Sequence, residues 1–325
     1  DGHTDAVATE RLVVAQGTDL RWADGLGWLR WSGHHWRPVV GDAEVVELAR
    51  QEALRWAEAC EPDEELEGKA RKSAMREHER ALAATNAGRL GGVARLARGH
   101  EQLRVHVDDL DRHEWLLPTL SGTVDLRTGA VIDSARDRLM TTCAPVAYPG
   151  EVSIEGLWDH CPTWLRCIQD WMSHDQELLR LLWKLSGYWL TGSVRDHVMA
   201  ICIGSGRNGK GTYFGTLQKV LGPQLAGSMP RTLLRRGGRD EHPVELLALR
   251  GMRLAIGDEV ASGMTLDEER VKWLTGGGRM RARGIAQDYV EWDPTHKLAL
   301  LCNDLPRIRD TSPAMWARLL VIPWL

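Results

Sequence analysis

The sequence predicts an α/β protein with a mixed α/β N-terminal domain over 1–150, a helical collar over 151–193 and a core built on a mostly parallel sheet over 194–325. Three observations carry this expectation. Val198 to Ile203 is apolar throughout, as a strand buried on both faces must be, and it runs straight into a Gly-rich turn. Arg253 to Ile256 and Leu298 to Cys302 read as two more buried strands, each ending in polar residues. Ahead of them, WLRCIQDWMSHDQELLRLLWKLSGYWLTG (164–192) is a long helical stretch. Its apolar residues Leu178, Leu179, Leu181, Leu182 and Leu185 make a face wider than one amphipathic stripe, so it demands packing partners.

In chain order, Trp28, Trp31 and Trp36 flank a Ser32-Gly33 turn, which reads as a hairpin with its indoles in the core. From Asp42 to about Asn86, Ala, Glu, Arg and Leu recur at helical spacing. This gives two helices joined by the acidic connector EPDEELEG, followed by Gly91-Gly92 and a basic-polar stretch. LPTLSGTVDLRTGAVIDS (117–134) alternates apolar residues around turn signals at Ser121-Gly122 and Thr128-Gly129, as a β segment does. PVAYPGEVSIEG (145–156), rich in Pro and Gly, reads as a linker before the collar.

A chain of 325 residues has room for about two domains. Its 41 basic and 45 acidic residues give a net charge of −4, which excludes a globally basic nucleic-acid binder and leaves only local patches. The 34 Arg against 7 Lys, and 15 Trp against 1 Phe, read first as the codon usage of a high-GC genome. Six scattered cysteines without a CxxC pair suit reduced thiols rather than a disulfide scaffold. No apolar stretch reaches the length of a membrane span, and DGHTDAVATERL has no signal-peptide features, so a soluble intracellular protein is expected. A start without Met and an end on the apolar run LLVIPWL read as a piece of something longer.

The strongest signal is GSGRNGKGT (204–212), placed between a strand and a helix. Gly204, Gly209 and Lys210 satisfy the GxxxxGK spacing of a phosphate-binding loop, in which backbone N–H groups converge on phosphate oxygens at a helix N-terminus. The candidate nucleotide-binding residues are Gly204, Ser205, Gly206, Arg207, Asn208, Gly209, Lys210, Gly211 and Thr212, with Lys210 bridging the β- and γ-phosphates. The strict pattern places Ser or Thr directly after the Lys. Here Gly211 intervenes before Thr212, and one residue of slip on a helix rotates the hydroxyl by roughly 100°. Thr212, Asp258 and Glu259 are the candidate metal ligands.

From Gly187 onward the chain resembles the superfamily III helicases, in particular the helicase half of phage and plasmid primase-helicases. GSGRNGKGT, with its internal Asn208, looks like that group's phosphate loop. HPVELLALRGMRLAIGDEV resembles its second motif, THKLALLCNDLPRI its third, and MWARLLVIPW the segment with its Arg finger. SGYWLTG and LPTLSGTVDLRTGAV resemble the domain that precedes the helicase in these proteins. The resemblance implies an AAA+-like P-loop core, ATP and Mg²⁺ as cofactors, and catalytic roles for Lys210, Glu259, Asn303 and Arg318. Glu259 would polarise the attacking water, Asn303 would sense the γ-phosphate, and Arg318 would reach into a neighbour's site. It also implies a homo-hexamer, a primase module in the same protein or system, 3′ to 5′ unwinding and a bacterial host cytoplasm. From the residues alone, Asn303 before Asp304 and Pro306 is also a good turn former, and Arg307 and Arg309 compete with Arg318.

Between the second and third motifs, Thr265 with Glu268 suits a capping box for a short helix that stops at Gly276-Gly277-Gly278. Arg279, Arg281 and Arg283 then alternate with Met280 and Ala282, so at strand period all three guanidinium groups face one way. With Lys272 they are the candidate DNA-binding residues, which the resemblance places on a pore hairpin gripping single-stranded DNA. A solvated basic strand is the plainer reading. The tip GIAQDY (284–289) offers Tyr289 as its one aromatic, and RTLLRRGGRDEH (231–242) is a second basic stretch. His160, Cys161, Cys167 and His174 match no zinc spacing. The function expected is that of an ATP-dependent, ring-forming DNA helicase. The competing expectations are a replication initiator using ATP as an assembly switch and a small-molecule P-loop kinase.

Overall fold

The computed structural model describes the chain except for residues 1–3, 64, 151, 154, 231–232, 238–242, 259–262 and 285–288. It divides into two compact units, one of residues 4–32 and 36–109 and one of 33–35 and 110–325. In the first, α1 (Asp5–Gln16) precedes β1 (Leu20–Ala23), β2 (Gly27–Trp31) and β3 (Trp36–Pro38). α2 (Ala43–Ala59), α3 (Gly68–Ala83), α4 (Ala87–Ala97) and the short β4 (Arg104–Val105) follow. The sheet order is β3-β2-β1-β4, with Trp22 opposite Trp28 and Trp31 opposite Trp36. Trp28 and Trp36 are fully buried, so these indoles are core. α4 is a third helix beyond the two expected, and it runs straight through Gly91-Gly92. A Cβ on Gly92 would lie 2.5 Å from the Asp5 carboxylate, so the glycine permits α1 and α4 to pack closely.

The second unit begins with an antiparallel meander, β5 (Leu116–Thr119), β6 (Gly122–Asp125) and β7 (Val131–Ile132). Leu117, Val124 and Ala144 share one core cluster with Leu182, Ala200 and Leu254. The packing boundary therefore falls after Asp109, not at the compositional linker near 150. α5 (Leu157–His160), α6 (Pro162–Trp171) and α7 (Gln176–Leu190) occupy the span expected to be a helical collar. The single long helix expected there is broken where Ser173 and His174 take φ of 48° and 61°. Asp175 then caps α7, accepting from the N–H of Glu177 at 2.8 Å and of Leu178 at 3.1 Å.

The core sheet contains β8 (Met199–Ile203), β9 (Ala226–Ser228), β10 (Leu254–Gly257), β13 (Lys297–Cys302) and β14 (Leu319–Pro323) in the order β14-β8-β13-β10-β9, all parallel. α8 (Lys210–Leu221), α9 (Pro243–Leu247), α10 (Glu268–Thr275), the hairpin β11 (Met280–Arg283) and β12 (Tyr289–Trp292), and the short α11 (Pro313–Trp316) connect them. β10 and β13 are buried at every residue, and each Leu or Ile removed from water there contributes about 1.5–3 kcal/mol. At the sheet's amino edge, the wholly buried Arg253 donates to the carbonyls of Leu190 and Leu116. Lys297 donates to Thr191 and, at 3.0 Å, to Thr295. Two cations thus close on the carbonyl end of α7, where the helix dipole favours them. Burial pushes the Arg253 guanidinium down to about 10, and burial with the neighbouring Arg253 holds Lys297 well below its ordinary value.

Candidate functional site

Parallel strands deliver their following loops to one edge of a sheet, and three candidate groups arrive there. The phosphate loop follows β8, Asp258 follows β10 and Asn303 follows β13. Gly206 to Thr212, Asp258, Leu301, Cys302 and Asn303 line one cleft of about 530 Å³. Thr212 reaches this lining despite the intervening Gly211, whereas Glu259 lies outside the described residues.

The loop is shaped by contacts the motif does not announce. Gly209 takes φ +89°, and a Cβ there would sit 2.1 Å from the indole of Trp171, at the end of α6. A Cβ on Gly204 would lie 2.1 Å from Asn208 Nδ2 and 2.2 Å from the Trp324 carbonyl. Asn208 donates to that carbonyl at 2.8 Å, tying the loop to the residue after β14. Lys210 Nζ donates to the Gly204 carbonyl at 2.6 Å and to Asn208 Oδ1 at 2.9 Å. Only 8% of Lys210 is exposed. Burial lowers its ammonium from the ordinary value, while Cys302, Cys202 and Asp258 pull the other way. A partly desolvated cation at a helix N-terminus is suited to an anionic ligand.

Arg318 lies elsewhere. It immediately precedes β14, with its carbonyl accepting from Met199 N at 2.7 Å and its Nη1 donating to Ala314 O at 2.6 Å. Since β14 and β8 run parallel from Leu319 opposite Met199, Arg318 occupies the amino edge, about 16 Å of strand from the edge that bears the phosphate loop. It cannot serve its own chain's cleft from there.

The basic segment forms the expected hairpin. Arg281 and Arg283 are exposed and Met280 and Ala282 buried, with Arg279 exposed just before them. The partner strand moderates their charge, for Glu291 lies opposite Arg281 at 3.6 Å and Asp293 is 3.9 Å from Arg279. Lys272 does not join this face; its ammonium pairs with Asp310 at 2.5 Å. That bond is the largest reason the Asp310 carboxyl is held down to about 2. The capping box is also replaced. Asp267 caps α10 by accepting from Arg270 N at 3.0 Å, and Glu268 instead turns inward to accept from Arg309 N at 2.6 Å. Hairpin residues 285–288, and 231–232 and 238–242 of the second basic stretch, lie outside the described residues.

The profile of the family described as D5 N terminal like matches residues 9–173, just over half of the chain. The chain belongs to the D5 N terminal like family. Among curated proteins, one of Acanthamoeba polyphaga mimivirus, provisionally named helicase L207/L206, is 25% identical over 309 residues, covering 92% of this chain and 32% of its own length. One of Invertebrate iridescent virus 6, provisionally named helicase 184R, is 27% identical over 227 residues, covering 67% and 23%. This D5 N terminal like chain thus spans a third or less of the relatives it matches. Among solved structures, the A form apo structure of the NrS-1 C terminal region (305–718) aligns at a TM-score of 0.39 and 16% identity, over 50% of this chain and 36% of that one.

Sequence reasoning missed Cys302 in the cleft lining and Trp171 and Trp324, which press on the phosphate loop. The close spacing of Gly204, Asn208 and Gly209 announces a tight loop, but only tertiary structure reveals what presses on it. Trp171 and Trp324 belong to an aromatic cluster with Trp164, Tyr213 and Phe214, in which Trp164 stacks on Tyr213 at 5.5 Å.

Proposed function

We propose that this chain is the ATPase and DNA-translocating part of a replication helicase. The observation that carries the reading is the convergence of the phosphate loop, Asp258 and Asn303 on one cleft at the carboxyl edge of a parallel sheet. The provisional helicase names of its viral relatives agree with it. In this reading Lys210 leaves the Gly204 and Asn208 oxygens for the β- and γ-phosphates of ATP, while the loop amides cradle the remaining oxygens. Asn303 orients the attacking water and Glu259 polarises it. Thr212 and Asp258 offer hard oxygen ligands in the same cleft, as Mg²⁺ requires. The bound metal supplies neutralisation of charge on the transferred phosphoryl group.

Arg318, remote from its own cleft, acts on the neighbouring protomer of a hexameric ring, and the hairpin of Arg281 and Arg283 meets single-stranded DNA. The test is hydrolysis and forked-DNA unwinding by the full chain and by Lys210→Ala. Hydrolysis stimulated by single-stranded DNA, with strand separation, is expected for the parent, and both should fall at least about a hundred-fold in the variant. Turnover indifferent to DNA and without strand separation overturns the helicase reading and favours an ATP-dependent switch.

A further inference from the structure

The exposed face of the hairpin is a ladder of three cross-strand positions with different chemistry at each. Nearest its base, Arg279 faces Asp293 at 3.9 Å; in the middle, Arg281 faces Glu291 at 3.6 Å. At the outer position the residue opposite Arg283 is Tyr289. The middle and the outer guanidinium groups both lie over that ring, Arg281 at 4.4 Å and Arg283 at 5.0 Å from its centroid. Beneath, Met280, Ala282, Val290 and Trp292 are buried, so the ladder stands on a packed base. Tyr289 is nevertheless 51% exposed.

An aromatic ring left half in water under two guanidinium groups can receive a nucleobase when a guanidinium swings from the ring to a phosphate. Every base has a π-face to stack, and the guanidinium groups can meet the adjoining phosphates. Three Arg acting by charge alone would give single-strand binding a salt slope near −2, at about 0.7 per phosphate neutralised. Two carboxylates among them reduce the face to about one net charge and the slope to roughly −0.7. We propose that Tyr289 is a stacking platform for an unpaired base of single-stranded nucleic acid, and that Glu291 and Asp293 restrain the charge behind it so that the strand is gripped at the outer end. This rests on reading the hairpin as a nucleic-acid face. It adds the residue that contacts the base and a pair that limits affinity.

The test is fluorescence anisotropy with the full chain, using a labelled oligo-dT strand and an abasic strand of the same length over a salt series. Tyr289→Ala should weaken oligo-dT binding roughly ten-fold at unchanged salt slope and leave abasic-strand binding as it was, while Tyr289→Phe keeps the parent affinity. Glu291→Gln should tighten binding and steepen the slope by about 0.7. If Tyr289→Ala binds oligo-dT like the parent while Arg283→Ala binds more weakly, the charged face stands and the stacking platform is refuted. If neither variant changes binding, the hairpin is no nucleic-acid face, and both readings fall.

Discussion

At Gly209 two constraints coincide, a φ of +89° that L side chains rarely adopt and an indole occupying the space of any Cβ. Gly209→Ala should therefore lower stability by about 1–3 kcal/mol and abolish binding of a non-hydrolysable ATP analogue, measured by thermal unfolding and calorimetry. Gly211, two residues on, is the opposite case. Its Cβ would meet nothing within 4 Å, and it lies in the first turn of α8, so Gly211→Ala should raise stability by up to about 1 kcal/mol. A melting temperature lowered equally by both substitutions would remove the distinction. The motif asks for glycine at 209 and for a hydroxyl side chain at 211, and the neighbourhood of Trp171 supplies the steric reason that only the first glycine is indispensable.

Among the elements, β13 carries the clearest consequence for pH. His296, directly before it, lies neutral in the interior, pushed down to about 4 by burial first and then by Lys297, against an ordinary value of 6.5. Below pH 6.5 the unfolded chain takes up a proton that the folded one refuses. Stability from this group is thus intact above that pH and lost by about 3 kcal/mol as pH falls to 4. Urea midpoints between pH 7 and 4 should fall accordingly, and His296→Leu should flatten that component. The strand itself was legible because Leu298 to Cys302 is an unbroken apolar run, which a sheet buried on both faces demands. The cap of α10 was not. Thr265 and Glu268 have capping-box spacing, but Glu268 accepts from the backbone amides of Arg309 and Asp310 across the fold, leaving Asp267 to cap. The same limit hid the pairing of Arg281 with Glu291, since register, not composition, brings them opposite.

For the whole molecule, the opposite placement of Lys210 and Arg318 on the sheet makes a demand on assembly. If each ring site takes its lysine from one protomer and its arginine from the next, Lys210→Ala and Arg318→Ala chains should each be inactive alone. Mixed, they should recover hydrolysis at interfaces that retain both groups, and no recovery at any ratio would refute the shared site. The packing boundary gives a second expectation. Residues 110–325 hold their meander, collar and sheet in one core, so a fragment of that span should melt cooperatively, whereas one beginning at 151 loses Leu117 and Val124 and should not. The linker composition near 150 concealed this, because a Pro- and Gly-rich segment marks a loop but not whether its two sides share a core. The aromatic cluster behind the phosphate loop has one more consequence. If a ligand draws Lys210 away from Asn208, the Trp324 carbonyl and the Trp171 ring should be disturbed, so the protein's own ultraviolet emission should change as the cleft fills, and emission indifferent to nucleotide would refute this coupling.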